Sequence, residues 1–84
     1  MSLNEDSSAF LKEVYNEVEC DTNKFVSIVE IAKKIEIEDL NHILTIVNNL
    51  KTEKHLKAEI LQGVSNTVAR ITTSGINAVE KHNK

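Results

Sequence analysis

The sequence predicts an α+β fold in the order helix, short strand, helix, helix, strand, strand, helix. Three observations predict it. Between Ser27 and Glu53, apolar residues recur at helical spacing in two segments divided by an acidic turn. From Leu56 the period changes to two, and it holds on both sides of a loop that carries Gly63 and Asn66. Before and after this middle section lie two further stretches with an amphipathic helical pattern.

The first helix is expected from Ser7 or Ser8, whose hydroxyls suit an N-cap, to about Glu19. Phe10, Leu11, Val14, Tyr15 and Val18 form its apolar face, and Glu13 and Glu17 look outward. Residues 1–7 are polar and are expected to be a disordered tail, which leaves residues 8–82 as a single domain. Cys20-Asp21-Thr22-Asn23 is turn-rich and ends the helix. Cys20 is the sole cysteine of the 84 residues. It therefore belongs to no disulfide framework or thiolate metal site, and is expected as a small buried hydrophobe.

Lys24-Phe25-Val26 is aromatic and β-branched and suits a short edge strand. Ser27 and Glu30 have capping-box spacing and open a short helix that buries Ile28, Ile31, Ala32 and Ile35. Lys33 and Lys34 are exposed on it. Glu36-Ile37-Glu38-Asp39 is the turn, with Ile37 plugging the core and Glu38 or Asp39 capping the next helix, residues 40–53.

At about 100° per residue, Leu40, Ile43, Leu44, Ile46, Val47 and Leu50 of this helix share one side. Asn41, His42, Thr45, Asn49 and Thr52 share the other, with Asn48 at its edge. That second face is not a Glu/Lys lattice. It is a set of short amide, hydroxyl and imidazole groups, suited to hydrogen bonding with another surface. The two strands come next. Leu56, Ala58 and Ile60 alternate with Lys57, Glu59 and Leu61, and Ala69 and Ile71 alternate with Val68 and Arg70. Gln62 to Asn66 is the loop of the hairpin, and Leu61 and Val64 near its tip either form a small contact patch or pack under the hairpin. Thr72 caps a last helix, Thr73 to about Lys81, with Ile76 and Val79 facing inward. Gly75 in its first turn allows a neighbouring helix to approach closely.

The net charge of −3 hides an asymmetry. Residues 1–19 hold five acids and one base, whereas residues 41–84 hold three acids and six bases. An acidic whole excludes strong non-specific attraction to nucleic acid, while the basic second half leaves room for a local footprint. No apolar run approaches the roughly 20 residues that span a bilayer. The acidic N-terminus lacks the layout of a signal peptide, so a cytoplasmic protein is expected.

Enzyme chemistry is not expected. His42, His55 and His82 lack metal-ligand spacing, and the chain has no phosphate-binding glycine loop. Glu36, Glu38 and Asp39 form a solvated cluster on a turn, and His55 reads as a partly buried structural histidine. No cofactor is expected.

Three stretches, in this order, carry a resemblance to the winged helix-turn-helix superfamily over residues 9–82. "VEIAKKIEIEDLNHILTIVNNLKTEKHL" resembles the helix-turn-helix core of small prokaryotic regulators. Glu36-Ile37-Glu38-Asp39 replaces the usual turn glycine, and Lys54 stands where a glycine commonly ends the recognition helix. "LKAEILQGVSNTVARIT" resembles the two wing strands. "ITTSGINAVEKH" resembles the strand-to-helix ending of the multiple-antibiotic-resistance-regulator and phenolic-acid-regulator types.

The resemblance implies a DNA-binding transcriptional regulator, with helix 40–53 in the major groove of double-stranded DNA and wing 56–72 on the backbone. Asn41, Asn48 and Asn49 would then pair with adenine edges, Thr45 would meet a base or thymine methyl, and His42 would donate to guanine or phosphate. Lys51, Lys54, Lys57 and Arg70 would hold phosphates, joined by Lys33, Lys34 and Thr52, and Ser65 and Asn66 would touch the backbone from the wing tip. A domain of this size implies a homodimer, through the first helix, the last helix or both. The alternative reading is a winged-helix protein-interaction or assembly module that does not bind DNA.

Overall fold

A computed structural model of the chain describes residues 3–19, 21–59 and 67–82. Cys20 and the loop residues 60–66 lie outside the described residues, as do the expectations placed on them. The elements are α1 (Leu3–Val18), β1 (Val26–Ser27), α2 (Ile28–Lys34), α3 (Leu40–Thr52), β2 (Leu56–Glu59), β3 (Val68–Ile71) and α4 (Thr73–His82). This is the α+β order that the sequence predicts.

The strands form an antiparallel sheet in the order β1-β3-β2. Leu56 pairs with Ile71, Lys57 with Arg70, Ala58 with Ala69 and Glu59 with Val68, while Val26 of the edge strand pairs with Ala69. Strand side chains alternate between faces, so one register puts Val26, Leu56, Ala69 and Ile71 into the core and turns Lys57 and Glu59 outward. The helices cover the inner face. α1 lies at the centre of the packing, in contact with α2, α3, α4, β1 and β3. Phe10, Val14 and Val18 of α1 meet Ile28, Ile31 and Ala32 of α2, Ile43, Ile46, Val47 and Leu50 of α3, and Val79 of α4 in one aliphatic cluster.

Three local expectations are corrected. α1 begins at Leu3, ahead of the caps expected at Ser7 or Ser8, so residues 3–7 are helical and not a tail. The cause is polar: Asp6 and Ser7 are 4% and 3% exposed, and both make hydrogen bonds to α3. Ser27 sits at the N-cap of α2 but its side chain makes no capping bond. Gly75 meets a loop junction and not a neighbouring helix. A Cβ there would lie 2.3 Å from the backbone oxygen of His55, between α3 and β2. The cap expected of Thr72 is present: its Oγ1 accepts from the Gly75 amide at 3.0 Å and donates to the Lys54 carbonyl at 2.7 Å.

α2 and α3 both end in the same hydrogen-bond pattern. Glu36 (φ 62) and Lys54 (φ 65) take left-handed conformations. Glu36 N donates to Lys33 O and Ile37 N to Ala32 O, while Lys54 N donates to Lys51 O and His55 N to Leu50 O. These are Schellman endings, which glycine usually closes. The two positions at which the resembled family would carry glycine therefore keep the glycine conformation with a side chain attached. Left-handed backbone costs an L-residue about 1–2 kcal/mol, and glycine returns part of that as unfolded-state entropy. Glu36→Gly is expected to raise stability by roughly 0.5–1 kcal/mol. Thermal unfolding should show it as a Tm increase of about 2–8 °C.

Candidate functional site

α3 is the element the fold presents. Asp39 caps it, accepting from the Asn41 amide at 3.0 Å through Oδ1. Ile43, Ile46, Val47 and Leu50 anchor it in the core. This agrees with the apolar stripe expected from the wheel, but only at its centre. Leu40, placed in the stripe by spacing, is 43% exposed, and Leu44 is half-buried.

The opposite edge of the stripe is displaced in the complementary sense. His42 and Asn49, expected on the polar face, lie at the seam with α1. His42 Nε2 is 2.6 Å from Asp6 Oδ2, and Asn49 Nδ2 donates to Ser7 Oγ at 3.1 Å. The second carboxyl oxygen of Asp6 is buried without a hydrogen-bond partner. α1 thus grips α3 through polar side chains on one flank and apolar ones beneath. That rotates the helix so that Leu40 and Asn48 face out.

The presented face is Leu40, Asn41, Thr45, Asn48, Lys51 and Thr52, all exposed. Both threonine hydroxyls are already engaged. Thr45 Oγ1 donates to the Asn41 carbonyl and Thr52 Oγ1 to the Asn48 carbonyl, each at 2.9 Å. A groove of about 540 Å³ lies between α1, α3 and α4, lined in part by Ser7, Leu11, Asn49, Glu53, His55 and Val79. None of the presented α3 residues lines it.

The basic residues expected to meet phosphates divide into three groups. Lys51 and Lys54 are exposed at the C-terminal end of α3. Lys57 and Arg70 stand opposite one another on β2 and β3, on the sheet's outer face, and the Arg70 guanidinium lies 5.7 Å from the centre of the Phe25 ring. Lys33 and Lys34 close α2. Lys34 forms a hydrogen-bonded ion pair with Glu17 of α1. The Lys34 ammonium holds the Glu17 carboxyl below its ordinary range, and the Glu17 carboxylate raises Lys34 in turn. Both partners are well exposed, so the pair orders Lys34 more than it stabilises the fold. Ser65 and Asn66 lie outside the described residues.

His55 is half-buried, with Nδ1 3.1 Å from Ser74 Oγ and its carbonyl accepting from the Thr72 amide, as a structural histidine would be. No group of three or more His, Cys, Asp or Glu suited to a metal ion occurs among the described residues. Among them, too, no helix is long and apolar enough to cross a membrane. Two exposed residues carry no sequence signal of their exposure: Leu40 falls at the edge of an apolar stripe, and Phe25 within an edge-strand pattern.

No protein-family model matches the chain, and no curated protein matches it. Among solved structures it is similar to a mutant of MepR from a multidrug-resistant S. aureus clinical isolate, with a TM-score of 0.63 and 17% sequence identity. MepR is a winged-helix regulator of the multiple-antibiotic-resistance-regulator type. The match covers 96% of this chain and 62% of MepR, so the chain spans less than two thirds of that protein's length. The likeness is one of fold: the chain is a winged helix, with α2 and α3 as the helix-turn-helix and β2 and β3 as the wing.

Proposed function

We infer that the chain is the DNA-binding unit of a transcriptional regulator acting in the cytoplasm, with α3 in the major groove and the wing along the backbone. The observation that carries this reading is the presented face of α3. Asn41 and Asn48 expose side-chain amides that the fold does not use, on a helix anchored from below and gripped on one flank by α1. Short amides on a rigid helix suit base edges, and an α-helix fits the major groove. Lys51 and Lys54 supply cations at the C-terminal end of α3 and Lys57 and Arg70 supply them on the wing, with Lys33, Lys34, Thr52, Ser65 and Asn66 as further backbone contacts. His42 and Asn49 act from within the seam, holding α3 in its rotation. About six phosphate contacts bind weakly at physiological salt, so the unit works as a homodimer through α1, α4 or both.

The test is a salt titration. Replacing Lys57 and Arg70 together with alanine should weaken binding to all duplex sequences alike. It should also flatten the dependence of log K on log salt by about two, roughly one for each phosphate no longer neutralised. An unchanged slope would remove the wing from the interface.

A second reading has one observation in its favour. Glu36, Glu38 and Asp39 form an exposed acidic turn immediately before α3, which suits a basic protein surface better than a phosphate chain. On that reading the chain is an assembly module. Charge reversal at Glu36 and Glu38 would abolish recovery of a co-purifying protein, and recovery unaffected by the reversal would dismiss it.

A further inference from the structure

We propose that α3 reads A·T base pairs, with Leu40 as a specificity-determining residue that packs on a thymine methyl. The proposal rests on the DNA-binding reading above and deepens it. Among the described residues the large apolar side chains left exposed are Phe25 and Leu40. Phe25 has the Arg70 guanidinium over its ring. Leu40 is 43% exposed although the core lies directly beneath its helix. It occupies the first position of α3. The N-terminal part of a groove-bound helix is the part that meets base edges.

The neighbouring chemistry is consistent along the whole face. The Thr45 hydroxyl donates its hydrogen bond to the Asn41 backbone carbonyl. Thr45 therefore offers a methyl group and an acceptor oxygen, but no donor. Asn41 and Asn48 each offer an amide, whose N–H and C=O match adenine N7 and N6–H. His42, the one imidazole that could have donated to guanine, is held by Asp6 at 2.6 Å. The presented face carries no arginine, and arginine is the commonest partner of guanine. Its single cation, Lys51, lies in the last turn of the helix, at the end where phosphates are met. In the major groove only thymine shows a methyl, and only adenine shows the N7 acceptor beside an N6 donor. Two amides, the Thr45 methyl and an exposed leucine match that pair at more points than they match guanine, to which each amide can only donate and which shows no methyl.

The experiment uses the full chain and duplexes enriched from a random pool. Thymines at the read positions are replaced one at a time by uracil, which removes only the methyl. In separate duplexes adenines are replaced by 7-deazaadenine, which removes only the N7 acceptor. One or two uracil positions should weaken binding about fourfold, the worth of one buried methyl group. The Leu40→Ala variant should bind the unmodified duplex about as weakly as wild type binds the uracil duplex, and should lose nothing more on uracil. The 7-deazaadenine substitution should cost about tenfold for wild type, and that penalty should vanish in Asn41→Ala or Asn48→Ala. Leu40 is exposed, so its variant should keep the wild-type unfolding temperature, which separates a missing methyl pairing from a damaged fold. Full sensitivity to uracil in Leu40→Ala would overturn the proposal, as would an enriched site with G·C at the read positions. Both results would leave the DNA-binding reading in place. Failure to enrich or retain any duplex at low salt would overturn both.

Discussion

Gly75→Ala is expected to destabilise the domain by about 3 kcal/mol. The new Cβ would stand 2.3 Å from the backbone oxygen of His55, 2.9 Å from Ile71 Cγ1 and 3.2 Å from the His55 carbonyl carbon. A flexible side chain would move aside, but the nearest obstacle is backbone. That backbone cannot retreat cheaply. The His55 carbonyl accepts from the Thr72 amide and the His55 amide closes the end of α3, while Thr72 Oγ1 ties the start of α4 to Lys54. α4, β2 and the end of α3 all meet at this point. Alanine is the better helix former by about 1 kcal/mol, and the clash has to exceed that gain. In thermal unfolding the Tm should fall by roughly 12–24 °C. A Tm within a few degrees of wild type would mean that α4 does not pack tightly on the α3–β2 junction.

Phe10→Ala should cost as much or more, about 3–5 kcal/mol. Phe10 is fully buried and is the largest side chain in the core. It sits on α1, the helix that packs on α2, α3, α4, β1 and β3. Its removal leaves a cavity among aliphatic neighbours that secondary structure holds apart, so relaxation recovers little. Small domains have total stabilities of about 5–15 kcal/mol, and the variant should lose its cooperative unfolding transition or begin to unfold near room temperature. The other phenylalanine provides the contrast. Phe25 is 45% exposed and its ring faces the Arg70 guanidinium, so Phe25→Ala should cost only about 0.5–1 kcal/mol. Denaturant unfolding of the two variants side by side measures the difference. Equal destabilisation would contradict the assignment of core and surface.

Much of this architecture is legible in the sequence because the signals are periodic. The change of period at Leu56 locates the wing, and Ile43, Ile46, Val47 and Leu50 orient α3 without help from the structure. The misplaced residues share a cause. A helical wheel treats apolar as inside and polar as outside, and it does not see what a second helix brings to the seam. α1 contributes Asp6 and Ser7, so His42 and Asn49 are satisfied at a helix contact, and Leu40 is turned to solvent at the other edge. The same polar contacts hold residues 3–7 in a helix that has no apolar pattern to announce it. Glu36 and Lys54 mislead in another way. Neither is glycine, yet each closes a helix in the left-handed conformation. The hydrogen bonds of each ending, and the inward packing of Ile37 after one and Leu56 after the other, outweigh the local strain. The pairing of Arg70 with Lys57 across the wing, and with Phe25 beside it, depends on strand register and strand order. Short strands do not encode these.

The central claim is that the presented face of α3 reads duplex DNA. Selection from a randomised duplex pool, first at low and then at physiological salt, tests it most directly. Asn41→Ala/Asn48→Ala serves as the control variant, since both residues are exposed and outside the core. The expected result is an enriched, roughly palindromic motif for the wild-type chain, and retention without that motif for the variant at low salt. An identical motif from both proteins, or no duplex retained even at low salt, would contradict it.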